Sequence, residues 1–188
     1  MKKYVLLDRD GTIIVNKHYQ KDPAETEILP KAGEGLHLLK AAGFGLVLVT
    51  NQSGIGRGIL TKTDLAAVNR RMILELEGDD HFFDGIYYCP HVDADACQCR
   101  KPRPGMLEVA AFNHEFPLSE SYVIGDRDID IEAGRAVGAT TVLVRTGHGA
   151  ATEKEGKVFA DYVADNLLDA ADWIIAREAS RGKGGRTA

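Results

Sequence analysis

The chain is short of cysteine, of tryptophan and of long apolar runs, and each shortage narrows what it can be. No stretch approaches the ~20 apolar residues that cross a bilayer, so no membrane span is expected. The opening "MKK" is followed only by Tyr4 to Leu7 before Asp8, whereas an export signal needs an apolar stretch of about 7–15 residues. The expected compartment is therefore the cytoplasm, where thiols stay reduced and disulfides are rare. Positive charge is not in excess either. A net charge of -5 gives no general basis for binding nucleic acid or an anionic membrane, so any site for a polyanion must be local. Internal repeats and a domain linker are also absent. The chain reads as one domain over 1–176, long enough to bury a core, followed by a Gly-rich, basic tail at 177–188 that is expected to be disordered.

What is present alternates. "YVLL" (4–7), "GLVLVT" (45–50), "GIYY" (85–88), "SYVIG" (121–125) and "TTVLV" (140–144) have the composition of buried strands. Between and after them, 32–42, 62–77, 105–113, 128–137 and 166–177 carry helical periodicity. Leu65, Val68, Met72 and Leu76 mark the core face of the second helix, and "TKTD" (61–64) supplies a capping box with Asp in place of Glu. Trp173 is expected on the packed face of the last helix. Strands alternating with helices predict an α/β fold, a Rossmann-like parallel sheet flanked by helices.

In such sheets ligands gather outside the carboxyl ends of the strands, and four strand-end or loop segments here carry reactive groups. "DRDGT" follows the first strand with Asp8 and Asp10. "TNQSG" ends the second at Thr50, "RKPRPG" supplies Lys101, and "GDRDID" places Asp126 and Asp130 after the fourth strand. A lone Asp-Gly turn is ordinary turn chemistry; four segments that together offer acids, a hydroxyl and an ammonium describe a site for phosphoryl transfer. Carboxylates are hard ligands for Mg²⁺, one can serve as a nucleophile, and its neighbour can exchange a proton with the leaving oxygen.

All three cysteines fall within eleven residues, with one histidine between them. Cys89, His91, Cys97 and Cys99 give C-x-H-x₅-C-x-C. Three thiolates and an imidazole close a zinc tetrahedron with no position left for water, which is the structural arrangement. The segment "HVDADACQC" is too polar to be a core strand of buried thiols, so structural Zn²⁺ is expected, organising a loop over 89–99 and holding Arg100 and Lys101 over the phosphate site.

In this order the four motifs resemble those of the haloacid dehalogenase-like phosphatases, over about residues 4 to 145. The resemblance implies Asp8 as nucleophile and Asp10 as general acid/base, with Thr50 and Lys101 stabilising the phosphoryl group. It also implies Mg²⁺ held by Asp8, the backbone carbonyl of Asp10 and Asp126, and Asp130 as an orienting group. About forty residues between Asp10 and Thr50 and about fifty between Thr50 and Lys101 leave no room for a large cap domain. The zinc loop, with "DRDGTI", "TNQSGIGRG", "CRKP" and "LVRTG", is similar to the heptose bisphosphate phosphatase branch. That branch implies hydrolysis of the 7-phosphate of D-glycero-D-manno-heptose 1,7-bisphosphate through an aspartyl-phosphate, toward nucleotide-activated heptose for lipopolysaccharide or a related glycan. It implies a substrate pocket lined by Asn16, Lys17, His18, Tyr19, Asn51, Gln52 and Ser53, with Arg100 at the sugar end and Arg127 near the phosphate. Histidinol-phosphate phosphatases share the motifs and a similar zinc loop and stay open as an alternative; a non-enzymatic zinc-binding interaction module is more distant. "GIGRG" (54–58) lacks the dinucleotide-loop spacing. With no apolar stripe visible outside the helical core faces, a monomer is expected.

Overall fold

The computed structural model describes residues 2–77, 79 and 81–184. The chain opens with β1 (Tyr4–Leu7), then α1 (Ala32–Ala41), β2 (Gly45–Asn51), the short α2 (Ser53–Gly56), α3 (Lys62–Glu75) and β3 (Gly85–Cys89). It continues through α4 (Gly105–His114), β4 (Tyr122–Gly125), α5 (Asp128–Ala136), β5 (Thr140–Val144), α6 (Gly149–Glu155), β6 (Tyr162–Ala164) and α7 (Leu167–Gly184). The strands form one sheet in the order β3-β2-β1-β4-β5-β6, every pair parallel. β1 lies at the point where the strand order reverses, and the carboxyl ends beside it are where such folds bind ligands.

The two faces of the sheet follow from the period of a strand. Val5 and Leu7 of β1 with Leu46 and Leu48 of β2 pack under α1, α3 and α7, through Leu36, Leu39, Val68, Met72, Ala170 and Ile174. Tyr4 and Leu6 with Val47 and Val49 pack on the other face against Met106, Leu107 and Ala110 of α4 and Ala133 of α5. Helices on both faces bury β1, β2, β4 and β5 almost completely, which is why these strands read as continuous apolar runs, while the edge strands β3 and β6 are only partly covered.

Thr61 accepts a hydrogen bond from Asp64 N and donates its own backbone N–H to the Asp64 carboxylate at 2.7 Å, so the capping box starts α3 as expected. Trp173 is partly buried and stacks on Tyr162 at a centroid distance of 4.7 Å. Two expectations change. The strand β6 and the helix α6 add to the expected elements, and neither carries a sequence signal, because β6 is only three residues long and α6 ("GAATEKE") buries only Gly149. The expected tail from 177 is helical as far as Gly184: Glu178 of α7 ion-pairs with Lys3 and accepts from Tyr122 Oη at 2.6 Å, which ties the helix past its apolar face. Residues 185–188 lie outside the described residues. No helix among those described is long and apolar enough to cross a membrane.

Candidate active site

Asp8 follows β1 directly and its N–H donates to Ile124 O of β4 at 2.9 Å, so the sheet ladder continues through it and fixes its place. Lys101 reaches the same point from the far side of β2. Its Nζ donates to Asp8 Oδ1 at 2.7 Å and Val49 O at 2.8 Å, and forms an ion pair with Asp130 Oδ1 at 2.6 Å. Lys101 is 3% exposed. Burial works against its charge, but Asp130 and Asp8 outweigh that and hold its pKa above the ordinary lysine value. The lysine backbone is clamped as well: Asn51 Nδ2 donates to Lys101 O and Lys101 N to Asn51 Oδ1, both at 3.1 Å. Asn51, expected to line the pocket, thus also anchors the lysine. Beside any hold the zinc loop would exert, Lys101 is anchored by Asn51, Val49 and two carboxylates.

Asp126, at the end of β4, is fully buried. Its Oδ2 accepts from His148 N at 2.8 Å, while its Oδ1 has no hydrogen-bond partner. Gly11 and Gly147 both take positive φ here, and a Cβ on either would sit 2.2 or 2.3 Å from Asp126 Oδ2. Only glycine permits two backbones to close on the carboxylate in this way. Burial, with Asp8 and Asp130 nearby, pushes the Asp126 pKa up to about 8. Oxygen atoms of Asp8, Asp126 and Asp130 lie within 4.8 Å of one another. Asp130 is committed elsewhere: one oxygen pairs with Lys101 and the other accepts from Arg127 N at 3.0 Å. Burial raises its pKa to about 6, with Lys101 opposing the rise. An orphaned buried oxygen on Asp126 beside Asp8 is a hard oxygen donor set that fits a small divalent cation, whose binding would displace the Asp126 proton.

Thr50, at the end of β2, is buried, and its Oγ1 accepts from Gln52 Nε2 at 2.9 Å. The same amide donates to Asp10 Oδ2 at 2.9 Å. These groups line a cavity of about 290 Å³ that also takes in Asn16, Lys17, His18, Tyr19, Ser53, Arg100 and Arg127, so every expected substrate residue reaches one space. Arg100 is turned back toward the loop before it, its Nε paired with Asp93 and its Nη1 donating to His91 O. Five wall residues lie outside the sequence expectation, Arg9, Gln20, Gly54, Ile129 and His148. His148 Nε2 lies 3.1 Å from Asn16 Nδ2, joining the loop after β5 to the substrate loop. Its only signal was its place just after "LVRTG".

The cysteine loop ends at Arg100, which reaches the cavity, and its own donors are gathered to one side. Cys89 Sγ is 3.6 Å from Cys97 Sγ and 3.2 Å from Cys99 Sγ, with 3.5 Å between the latter two. His91 Nδ1 lies 3.6 Å from Cys89 Sγ and 3.3 Å from Cys99 Sγ. The edges of a zinc tetrahedron with ordinary bond lengths are ~3.8 Å between sulfurs and ~3.6 Å from nitrogen to sulfur, so the four donors are already grouped at metal-binding spacing. Burial raises the Cys89 thiol to about 12. At Cys97 burial also works against the charged form, but hydrogen bonds led by that from Cys99 bring the thiol down to about 7.

The HAD-hydrolase-like family model matches residues 98–170. A D-glycero-beta-D-manno-heptose-1,7-bisphosphate 7-phosphatase of Yersinia pestis is 38% identical over 92% of this chain and 95% of its own length. The corresponding protein of Escherichia coli K12 is 39% identical over 88% and 90%. The chain belongs to the heptose bisphosphate phosphatase family. A solved member from B. bronchiseptica, a D,D-heptose 1,7-bisphosphate phosphatase complexed with magnesium and phosphate, superposes with a TM-score of 0.86 at 32% identity. That match covers 93% of this chain and all but 1% of the other, since it spans 99% of it. Members of this family are haloacid dehalogenase-like hydrolases of phosphate monoesters, and the six-stranded parallel sheet without a large cap is their fold.

Proposed function

We propose that this chain hydrolyses the 7-phosphate of D-glycero-D-manno-heptose 1,7-bisphosphate, leaving heptose 1-phosphate for nucleotide-activated heptose synthesis. The observation that carries the reading is the Asp8–Lys101–Asp130 arrangement beside the orphaned Asp126 oxygen, at the strand-order reversal. Asp8 attacks phosphorus and forms an aspartyl-phosphate, Asp10 passes a proton to the departing sugar oxygen, and Asp10 then takes a proton from the water that releases phosphate. Lys101 and Thr50 meet the charge on the transferring oxygens, and Asp130 keeps the ammonium aimed at them. Asp8, the Asp10 carbonyl and Asp126 would hold Mg²⁺, which supplies positive charge to the phosphate oxygens and to the carboxylate pair. Cys89, His91, Cys97 and Cys99 would hold structural Zn²⁺. The zinc loop then shapes the sugar end of the pocket through Arg100, while Arg127, Asn16 to Tyr19 and Gln52 to Ser53 complete the wall. The enzyme works as a monomer on a small-molecule substrate.

The names of the curated relatives favour the β-anomer. The test is phosphate release with Mg²⁺, comparing kcat/KM for the α- and β-anomers with that for histidinol phosphate. A preference of about a hundredfold for the β-anomer, on the order of 2.7 kcal/mol in the transition state, is the expected result. Faster turnover of histidinol phosphate would overturn the substrate assignment and leave the chemistry standing.

A further inference from the structure

Arg9 stands between the two carboxylates of the first strand-end loop, and the phosphatase reading gives it no role. At 1% exposure it heads the largest fully buried side chains. A buried guanidinium is unfavourable unless its donors are met, and here they are met in one direction. Arg9 Nε and Nη2 donate to Asp10 Oδ1 at 3.2 and 2.9 Å, and Nη2 also reaches Asp10 Oδ2 at 2.9 Å. On the other side Nη1 donates to Oδ1 of Asn69, a buried polar residue of α3, at 2.9 Å. The Arg9 carbonyl accepts from Ile13 and Ile14 N–H at 2.9 and 3.1 Å, so backbone and side chain are both fixed.

Charge balance alone would need only a cation near the acids, as Lys101 provides. A guanidinium adds a plane, because its fork fixes the rotation of the carboxylate it grips. Gln52 Nε2 completes the grip at Asp10 Oδ2, and the same amide reaches Thr50 Oγ1. Oδ2 is therefore the Asp10 oxygen turned toward the phosphate end of the pocket. We propose that Arg9, braced by Asn69 of α3, is a positioning residue that sets the Asp10 carboxyl for proton exchange with the ester oxygen.

This inference rests on the phosphatase reading above. In the first half-reaction an Asp8 oxygen bonds to phosphorus as the bond from phosphorus to the sugar oxygen breaks. The electron pair stays on that oxygen, which takes the Asp10 proton and leaves as a hydroxyl. In the second, water bonds to phosphorus, gives its proton to Asp10, and the bond from phosphorus to Asp8 breaks, restoring both side chains. In this role Arg9 acts through Asp10 rather than on phosphorus or the sugar, so its effect must follow the need for the proton.

That need can be varied without touching the protein. The sugar alkoxide of heptose bisphosphate leaves poorly without a proton, whereas the phenolate of p-nitrophenyl phosphate leaves readily. For both esters kcat/KM covers the steps up to departure of the leaving group. In the full chain, Arg9→Met should lower kcat/KM for the sugar ester by about a hundredfold and for the aryl ester by less than about fivefold. Arg9→Lys should behave like Arg9→Met, since it restores charge but not the fork. Asn69→Ala, which keeps the guanidinium, should cost about tenfold on the sugar ester and about twofold or less on the aryl ester. Equal losses on the two esters, or no loss, would overturn the positioning role; if the Arg9 variants fail to fold, Asn69→Ala decides alone. A wild-type chain that hydrolyses neither ester would overturn the phosphatase reading and this role with it. Wild-type turnover with equal losses in the variants removes the positioning role only.

Discussion

The two clusters of candidate ligands, carboxylate and sulfur, are built in opposite ways. The acidic cluster sits just past the ends of β1 and β4 and on the first turn of α5, its three carboxyl groups buried and its lysine held by Asp8, Asp130 and Val49 O. The sulfur cluster has one buried member, Cys89 at the end of β3, while Cys97 and Cys99 stand on a loop containing only a single 3₁₀ turn. Hydrophobic packing on both faces of the sheet holds the first in place. The second has little apolar surface to bury and depends on the bonds its own donors can make, which is the situation in which a metal contributes folding energy. In the proposed reading the chemistry rests on the packed half of the site, and substrate choice on the half that Zn²⁺ would order.

Breaking the packed half should cost most. Asp8→Asn keeps the shape but loses the nucleophile, and kcat should fall by about a thousandfold or more; near-normal phosphate release by this variant would refute the covalent route. A smaller loss is expected from the other half. Freshly purified protein should carry about one zinc per chain, and Cys97→Ser should raise KM about tenfold with kcat within about twofold. A kcat collapse matching that of Asp8→Asn would mean that the loop, and not β2, places Lys101.

A third prediction separates the halves by pH. The folded Asp126 carboxyl keeps its proton up to about pH 8, whereas an unfolded aspartate releases it near pH ~4. Between those values the folded chain binds more protons than the unfolded one, so this group lowers stability as pH rises. A divalent cation on the orphaned oxygen should offset that loss. The rise in Tm on adding Mg²⁺ should therefore be larger at pH 8 than at pH 5, and an equal rise at both would argue against Asp126 as a ligand. The smallest effect belongs to the end of α7. Removing 180–188 keeps Glu178 and its contacts with Lys3 and Tyr122, so activity should stay within about twofold.

What could be read in advance followed the same division. β1 and β5 were legible to the residue, because buried parallel strands write themselves as apolar runs, and the Asp, Thr and Lys positions followed from strand ends. The grouping of Cys89, His91, Cys97 and Cys99 was legible because ligand spacing is local. β6 and α6 were not, since three residues and a polar helix carry no periodicity. Arg9 was hidden for a different reason: its partner Asn69 is sixty residues away on α3, and nothing in "DRDGT" shows that the guanidinium turns inward. The anchors of Lys101 on β2 are hidden on similar grounds. Adjacency to Cys99 in the chain suggested the zinc loop, while the hydrogen bonds that hold the lysine come from β2.

The paired hydrogen bonds between Asn51 and Lys101 make the sulfur loop separable from the catalytic lysine. Its stems are tied on both sides, at Cys89 through the ladder with Asn51 and at Lys101 through the Asn51 side chain. The residues between can therefore be exchanged as a cassette. Loops of other lengths, closed by the same four ligands, could be spliced between these fixed posts to retune which phosphate ester is admitted while the hydrolytic centre beneath stays unaltered.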